Sequence, residues 1–153
     1  MQRLTSTELT AHLKRLCESY ERLTGRRLIE ACAETELIGR MDRAPFALVS
    51  HDVAPDPVFN YGNATALALF AMTWDEFTAL PSRYSAEQPN RAERERLLRA
   101  VKTHGYVDDY SGVRIAKDGR RFMIEQATVW NVIDEDGSYR GQAAVFSRWH
   151  EIA

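Results

Sequence analysis

The sequence of 153 residues is poor in the features that mark several large classes of protein. It has two cysteines, Cys17 and Cys32, and no apolar run near the roughly 18 residues that a membrane-spanning helix needs. The first residues, MQRLTSTELT, contain no apolar signal-peptide core, so we expect a cytoplasmic protein without a membrane partner. Because a reducing compartment keeps thiols free, we expect two free cysteines rather than a disulfide.

An excess of charge of one sign is also missing. The chain has 20 Lys and Arg against 22 Asp and Glu, which gives a net charge of −2 at pH 7. Because nucleic-acid phosphates are bound by a basic face, this balance argues against a nucleic-acid partner. The hydrophobic fraction of 44% is ordinary for a globular chain of this length, which is long enough to bury its own core.

Motifs for catalysis and for metal binding are absent from the sequence as well. The four histidines are scattered, without the short His and Cys spacings of zinc sites, so we expect no metal centre. No G-x-S-x-G elbow or glycine-rich phosphate loop occurs. In the triplet Ser50-His51-Asp52, neighbouring side chains point to opposite sides of a strand and cannot form a triad alone. We therefore predict no catalytic residue and a protein that is not an enzyme.

Two amphipathic helices are predicted at the start of the chain. Thr5-x-x-Glu8 fits a capping box, and a stripe of large side chains follows with helical spacing: Leu9, Leu13, Leu16, Tyr20 and Leu23. A second helical pattern ends before Pro45 and carries Ile29, Cys32, Ala33, Leu37 and Met41. Since such helices are not stable alone, they must cover the rest of the chain or a second copy of it. The first stripe fits either packing on the chain's own sheet or a short heptad seam in a homodimer.

From Phe46 onward the pattern predicts strands and short helices. PFALVSHD and PVFNY fit two strands, and capped helices begin after Asn63 and Thr73. A longer helix ends at Gly105, and three extended runs with Asp-Gly turns between them follow: YVDDYSGVRIA, RRFMIEQATVWNVI and YRGQAAVFSRW. This order predicts an α+β domain over residues 45–153, with a five-stranded antiparallel sheet and short helices across one face. Residues 1–44 are predicted to form a helical lead-in.

The middle run of the three predicts that both faces of the sheet are covered. Strict alternation gives one face the side chains of Phe122, Ile124, Gln126, Thr128 and Trp130. It gives the other face Met123, Glu125, Ala127, Val129 and Asn131. Because neither set is uniformly polar, neither face should meet water directly. We expect the short helices to cover one face and the N-terminal helices or a partner chain to cover the other.

Several blocks of the sequence resemble a known family. The stretch VFNYGNATALALFAMTWDEF resembles the PAS fold, in which such a segment surrounds a central pocket. The blocks APFALVSHD, LPSRYSAE, YSGVRIAKDGRRFMIE, ATVWNVIDEDG and GQAAVF are similar to the MEKHLA domain, a PAS-related family, and SYERLTGRRL resembles the helical lead-in of its stand-alone bacterial members. The resemblance covers essentially the whole chain. It implies a PAS-like sensor or interaction domain without an established ligand or reaction.

The same resemblance weighs against two cofactors of PAS domains. No cysteine follows the second predicted strand, where a flavin-adduct photosensor carries one. His104 lies at the end of the long helix beside Gly105, which is not the position of a haem-iron ligand. We therefore disfavour flavin and haem, and the resemblance names no other cofactor.

Six polar and aromatic residues are predicted to line the pocket of such a fold. The elements that carry them converge on one cavity in a PAS-like domain: Tyr61, Arg83, Tyr84, Gln126, Trp130 and Gln142. Because buried amide and guanidinium groups need hydrogen-bond partners, a small polar ligand could supply them. The alternative is that these groups satisfy one another or the backbone.

Three hypotheses about function follow from these patterns. The first is a non-catalytic sensory or ligand-binding module that signals through ligand-dependent packing and association. The second is a pure homodimerisation module with a filled core, in which the stripe from Leu9 to Leu23 forms the interface. The third is a small enzyme in the same cavity, which would need an ionisable group there, such as Glu125 or Asp109. No output domain is recognisable, so we expect a signal to leave through a homodimer or a partner protein.

Overall fold

The fold is described by a computed structural model over residues 4–87 and 91–152, which contain five α-helices, one 3₁₀ helix and six strands. The helices are α1 (Ser6–Thr24), α2 (Glu34–Asp42), α3 (Ala64–Phe70), α4 (Trp74–Phe77), the 3₁₀ helix (Ser82–Ser85) and α5 (Arg91–His104). The strands are β1 (Ala47–His51), β2 (Phe59–Gly62), β3 (Tyr106–Ile115), β4 (Arg121–Ile133), β5 (Tyr139–Phe146) and β6 (Arg148–Ile152). The α+β class is confirmed. In the described part of the chain, no helix is long and apolar enough to cross a membrane.

The predicted helix caps are present. Thr5 and Glu8 form a reciprocal capping box at the start of α1, and Gly25 ends that helix with a left-handed φ of 73°. The helix α2 begins only after Ala33, so the predicted second helix is too long at its start. Leu28, Ile29 and Cys32 instead lie in a connecting segment that packs against the core beneath α1, and this burial accounts for their apolar pattern.

Asn63 ties three elements together besides capping α3. Its side chain is fully buried, and its Oδ1 accepts hydrogen bonds from the backbone N–H groups of Ala66 and Leu48. Its Nδ2 donates to the carbonyl oxygen of Met41 at 2.9 Å. Because every polar atom of this buried amide has a partner, Asn63 fixes α2, β1 and α3 relative to one another.

The strands form one antiparallel sheet in the order β2-β1-β5-β4-β3, and β6 also pairs with β4. The third extended run, predicted as one strand, is divided at Ser147 into β5 and β6. Both parts lie along the same edge of β4, where Thr128 pairs with Val145 and Glu125 pairs with Arg148. The sheet therefore has six strands instead of the predicted five.

A bulge at Gln126 divides β4 into two halves that face opposite ways. Gln126 has a positive φ of 50°, and the register with β3 shifts beside it. Before the bulge, Phe122 and Ile124 point into one core, whereas after it Trp130 and Val132 point into the other. The prediction that Gln126 and Trp130 share a face is therefore wrong, because strict alternation stops at the bulge.

The two faces of the sheet are buried in two separate cores. The first, the cavity-side core, lies under α3, α4 and α5 and contains the stacked rings of Phe59 and Phe77, whose centroids are 4.0 Å apart. The second, the α1-side core, lies under α1 and α2. The chain's own N-terminal helices therefore cover the second face.

The predicted dimer stripe of α1 lies in this α1-side core. Leu13 and Leu16 are fully buried, Tyr20 is nearly so, and Leu9 and Leu23 are partly buried against them. Burying one leucine side chain contributes about 1.5–3 kcal/mol, so these contacts stabilise α1 on the sheet. Pairing two copies through this stripe would require α1 to leave the sheet.

Candidate functional site

A cavity of about 160 Å³ lies between the sheet and the short helices. Most of its wall is apolar and comes from nine residues: Val49, Phe59, Phe70, Leu97, Ile124, Val129, Ala143, Ala144 and Phe146. Polar residues also reach it: Ser50, His51, Ser82, Tyr110, Arg114 and Gln142. A few polar groups placed in apolar walls are typical of a small-molecule site.

A wider groove lies on the outer surface between α1, α2 and the end of β4, with a volume of about 730 Å³. Its lining includes many exposed polar side chains, and Lys14 Nζ lies 2.6 Å from Glu34 Oε1 across it. A ligand in this groove would remain largely in water. The smaller cavity in the cavity-side core is therefore the better candidate for a binding site.

A row of polar side chains on three adjacent strands includes two residues of the cavity wall, His51 and Gln142. His51 pairs with Gln142 across β1 and β5, and Gln142 pairs with Asn131 across β5 and β4. Gln142 Nε2 donates to Asn131 Oδ1 at 3.2 Å, which fixes the orientation of its amide. Nδ1 of His51 lies 2.9 Å from the carbonyl oxygen of Asp52, which can only accept, so Nδ1 carries a proton. These contacts orient the row before any ligand enters.

The side wall on β3 carries Tyr110 and Arg114. The guanidinium carbon of Arg114 lies 5.8 Å from the centroid of the Tyr110 ring. The Tyr110 ring extends along the strand toward Gly112. A Cβ at Gly112 would overlap the Tyr110 hydroxyl oxygen, so the glycine leaves room for it. Tyr110 is 5% exposed, whereas Arg114 is half-buried. Within residues 4–87 and 91–152, no carboxylate pairs with Arg114 and no group hydrogen-bonds to the Tyr110 hydroxyl.

Three of the six predicted pocket residues lie on the surface instead. Arg83 and Tyr84 project outward from the 3₁₀ helix, where Arg83 Nε bonds to Asp56 Oδ1 at 3.0 Å and its guanidinium stacks on the Tyr84 ring. Gln126 is exposed at the bulge and accepts a hydrogen bond from Arg148 at 2.8 Å. The structure does not bring these three side chains to the cavity. Their hydrogen-bonding groups have partners at the surface.

Two further predicted residues, Tyr61 and Trp130, are buried on the opposite face of the sheet. The Trp130 ring meets the Tyr20 ring edge-on at a centroid distance of 4.9 Å, and Tyr61 meets Trp74 at 5.8 Å. Burial, followed by the charge of Asp42, raises the pKa of Tyr61 well above its usual value. Of the six predicted pocket residues, Gln142 is the one that lines the cavity.

A chain of hydrogen bonds links α1 to β1 and β2 on this opposite face. The Ser50 hydroxyl donates to Asn60 Oδ1 at 2.5 Å, so its oxygen accepts from His12 Nε2 at 2.9 Å. Nδ1 of His12 then holds a lone pair toward Arg15 Nη1 at 3.4 Å. Burial and, next, the charge of Arg15 lower the pKa of His12 to about 4. His12 is therefore a neutral, oriented link between α1 and the sheet.

Two buried donors in the same region lack partners. Among the described residues, Trp130 Nε1 and Arg15 Nε are buried without a hydrogen bond, and the nearest carboxylate oxygen of Asp134 lies 3.5 Å from Arg15 Nε. Leaving a buried donor unpaired costs about 1–3 kcal/mol. The packing of α1 on the sheet is therefore weaker than its apolar area alone would give.

The two cysteines are free and lie on the α1 side of the sheet. Burial, and then the neighbouring Cys32, raise the pKa of the Cys17 thiol to about 11, which keeps it protonated and unreactive. Neither thiol lines the cavity. The cavity volume of 160 Å³ is about half of the roughly 300 Å³ at which the usual range of ligand-pocket volumes begins.

The ionisable groups named for an enzymatic role also lie outside the cavity. Glu125 Oε1 lies 2.8 Å from His150 Nδ1, and Asp109 is exposed beside Arg96 at 3.3 Å. In the described ranges, no group of three or more His, Cys, Asp or Glu side chains could hold a metal ion. These placements give no support to the predicted alternative of a cavity enzyme.

Two comparisons with known sequences cover nearly the whole chain. The family model of the MEKHLA domain matches residues 10–151. Homeobox-leucine zipper protein ATHB-14 of Arabidopsis thaliana is 26% identical over 150 residues, which are 95% of this chain and 18% of that protein. The chain thus spans less than a fifth of the length of this curated relative.

Solved structures share the fold at low sequence identity. A PAS domain from Colwellia psychrerythraea has a TM-score of 0.59 and 16% identity, with 77% of this chain and 95% of that chain covered. An RNA-binding Light-Oxygen-Voltage receptor has a TM-score of 0.61 and 21% identity, with 84% of this chain and 36% of that chain covered. Identities this low indicate the fold alone, and that fold is PAS-like.

Proposed function

The chain belongs to the MEKHLA domain family, and on that premise we propose that it is a non-catalytic sensory signalling module. A small molecule in the cavity would change how α1 packs on the opposite face of the sheet. The observation that carries this proposal is the position of two adjacent residues on β1. The Ser50 hydroxyl is bonded to His12 of α1, and both Ser50 and the next residue, His51, line the cavity.

The cavity is suited to a compact ligand. Its 160 Å³ compares with the roughly 150 Å³ of an engineered apolar cavity that binds benzene. Because its walls are apolar apart from a few polar groups, a ligand would gain from desolvation and be oriented by hydrogen bonds. We expect a molecule of about one ring with one or two polar substituents.

The route from cavity to α1 runs through β1. The register of β1 with β2 is irregular between Ser50 and His51, so this segment is not held by a continuous ladder on that side. A ligand that displaces His51 or Gln142 would shift the backbone of Ser50 and hence its bond to His12. Arg15 Nε and Trp130 Nε1, which are buried without a hydrogen bond, lower the stability of the docked α1 and so reduce the differential affinity that a ligand needs to change its population.

The output of such a switch would be the apolar stripe of α1. When α1 leaves the sheet, Leu13, Leu16 and Tyr20 become available to a second copy or to a partner protein. This step combines the sensory and the homodimerisation hypotheses in one mechanism. The docked state hides the stripe and the undocked state presents it.

The first test is whether the cavity holds a ligand. Native mass spectrometry of protein purified from cells without denaturation should show a bound small molecule. The variant Ala144→Leu fills the cavity and should lose this added mass, whereas Ala68→Leu makes the same change on the exposed surface of α3 and should keep it. The absence of bound mass in the parent, together with no binder in a fragment screen, would contradict the proposal.

A further inference from the structure

We propose that the cavity binds a small monocarboxylate with one aromatic or branched apolar group, and that Arg114 and the Tyr110 hydroxyl hold its carboxylate. This inference rests on the proposed sensory function and adds the chemical class of the ligand. It follows from an excess of unpaired donors on one wall of an otherwise apolar cavity.

The first donor is the guanidinium of Arg114. Other arginines near β3 and β4 have carboxylate partners: Arg121 pairs with Glu87 at 2.6 Å, and Arg120 pairs with Asp118 at 2.9 Å. Arg114 is half-buried at the cavity and has no such partner in the part of the chain that the structure describes. A guanidinium offers several N–H donors in a plane that matches the two oxygens of a carboxylate.

The second donor is the hydroxyl of Tyr110. This side chain is 95% buried, and its hydroxyl has no hydrogen-bond partner among the described residues. The missing side chain of Gly112 leaves the space into which the hydroxyl extends, on the same face of β3 as Arg114. In the described ranges its oxygen is not one of the fully enclosed atoms without a partner, so an acceptor in the cavity can reach the hydroxyl and pair with it. Two donors and a positive charge on one wall favour an anion.

The remaining wall determines what the anion is attached to. Phe59, Phe70, Val129 and Phe146 surround the space with apolar surface. A free phosphate would leave this surface unused, and a nucleotide would exceed a volume close to that which holds one benzene ring. A six-membered ring or a branched aliphatic group with one carboxylate satisfies both the apolar wall and the donors.

The experiment compares probes with the same ring and different polar groups. Benzoate, benzamide and toluene are titrated into the parent protein, with calorimetry for affinity and methyl NMR signals of Val49 and Val129 for location. We expect benzoate to bind at least about tenfold more tightly than benzamide, as the loss of a charge-assisted hydrogen bond implies. Tyr110→Phe keeps the ring and should weaken benzoate about threefold to tenfold.

A matched pair of arginine variants separates site binding from general charge. Arg114→Gln should remove the preference for benzoate while benzamide binding persists, and Arg99→Gln, on the exposed face of α5, should leave both unchanged. Equal binding of benzoate and benzamide at the cavity methyl groups, or an unaltered preference in Arg114→Gln, would overturn the carboxylate assignment and leave the sensory proposal intact. If none of the three probes shifts these methyl signals, the monocarboxylate assignment fails, and native mass spectrometry with the fragment screen then decides whether the sensory proposal stands.

Discussion

His12 Nε2 lies 2.9 Å from the hydroxyl oxygen of Ser50, and this hydrogen bond joins α1 to the strand that also lines the cavity. The Ser50 hydroxyl donates onward to Asn60, so the imidazole must present its Nε2–H to Ser50. Burial and the charge of Arg15 lower the pKa of His12 and keep the ring neutral. A polar contact of defined direction therefore adds to the apolar packing of α1. It also makes the docking of α1 sensitive to pH.

The first prediction concerns acid stability. Burial and the charge of Arg15 lower the pKa of His12 from 6.5 to about 4, so between these values the unfolded chain binds a proton that the folded chain excludes. The free energy of unfolding should fall as the pH drops through this window, by about 2 kcal/mol between pH 8 and pH 5 from this group. Urea denaturation of His12→Gln should show a smaller loss than the parent, whereas His104→Gln, at an exposed site, should match the parent. Equal losses in all three proteins would show that His12 does not titrate in this way.

The second prediction concerns the stripe of α1. Leu16 is fully buried against the sheet, so Leu16→Ala should lower the free energy of unfolding by about 2–5 kcal/mol. Leu98→Ala, at a side chain that is 56% exposed, should change it by less than about 0.5 kcal/mol. Chemical denaturation measures both. A Leu16→Ala protein of parental stability would mean that α1 does not rest on the sheet in solution.

The third prediction concerns the close contact between β5 and β1. Gly141 has a φ of 124°, and a Cβ there would overlap the carbonyl oxygen of His51. Gly141→Ala should therefore cost at least about 3 kcal/mol or prevent folding. Gly137→Ala, at a turn glycine with a φ of 85° and open space around it, should cost only about 1 kcal/mol. Thermal unfolding of the two variants gives the comparison, and similar losses would argue against the contact.

The fourth prediction concerns the bulge that divides β4. Gln126 has a left-handed φ of 50° and an exposed side chain, so Gln126→Gly and Gln126→Asn should keep the stability within about 1 kcal/mol of the parent. Gln126→Val should cost about 1–2 kcal/mol, since β-branched residues are disfavoured in this conformation. A variant series measured by urea denaturation tests the order. If valine is tolerated as well as glycine, the strand is regular at this position.

Local signals predicted much of the fold, because each acts within a few residues. The capping boxes at Thr5 and Thr73 and the cap at Asn63 are observed at the predicted positions. The α+β class and the burial of both faces of the sheet also follow from the predicted elements. The bulge at Gln126 could not be seen, because the apolar alternation of RRFMIEQATVWNVI runs through it without a glycine.

The site was less predictable than the fold, since it depends on which face each residue takes. The bulge moves Trp130 to the α1 side, and the short 3₁₀ helix turns Arg83 and Tyr84 outward. Gln142 lies in the cavity wall, opposite His51 on β1 and Asn131 on β4. Arg114 was missed, although its spacing from Gly112 in YSGVRIA offered a signal that both share one face of a strand.

The central claim is that the cavity and α1 are coupled through the sheet. Hydrogen exchange of the α1 amides around His12 and Leu16 should be compared between the parent, the cavity-filling variant Ala144→Leu and the surface control Ala68→Leu. We predict a change of about threefold or more in α1 exchange for Ala144→Leu and none for Ala68→Leu. Unchanged α1 exchange in Ala144→Leu, while the strands around the cavity do change, would contradict the coupling.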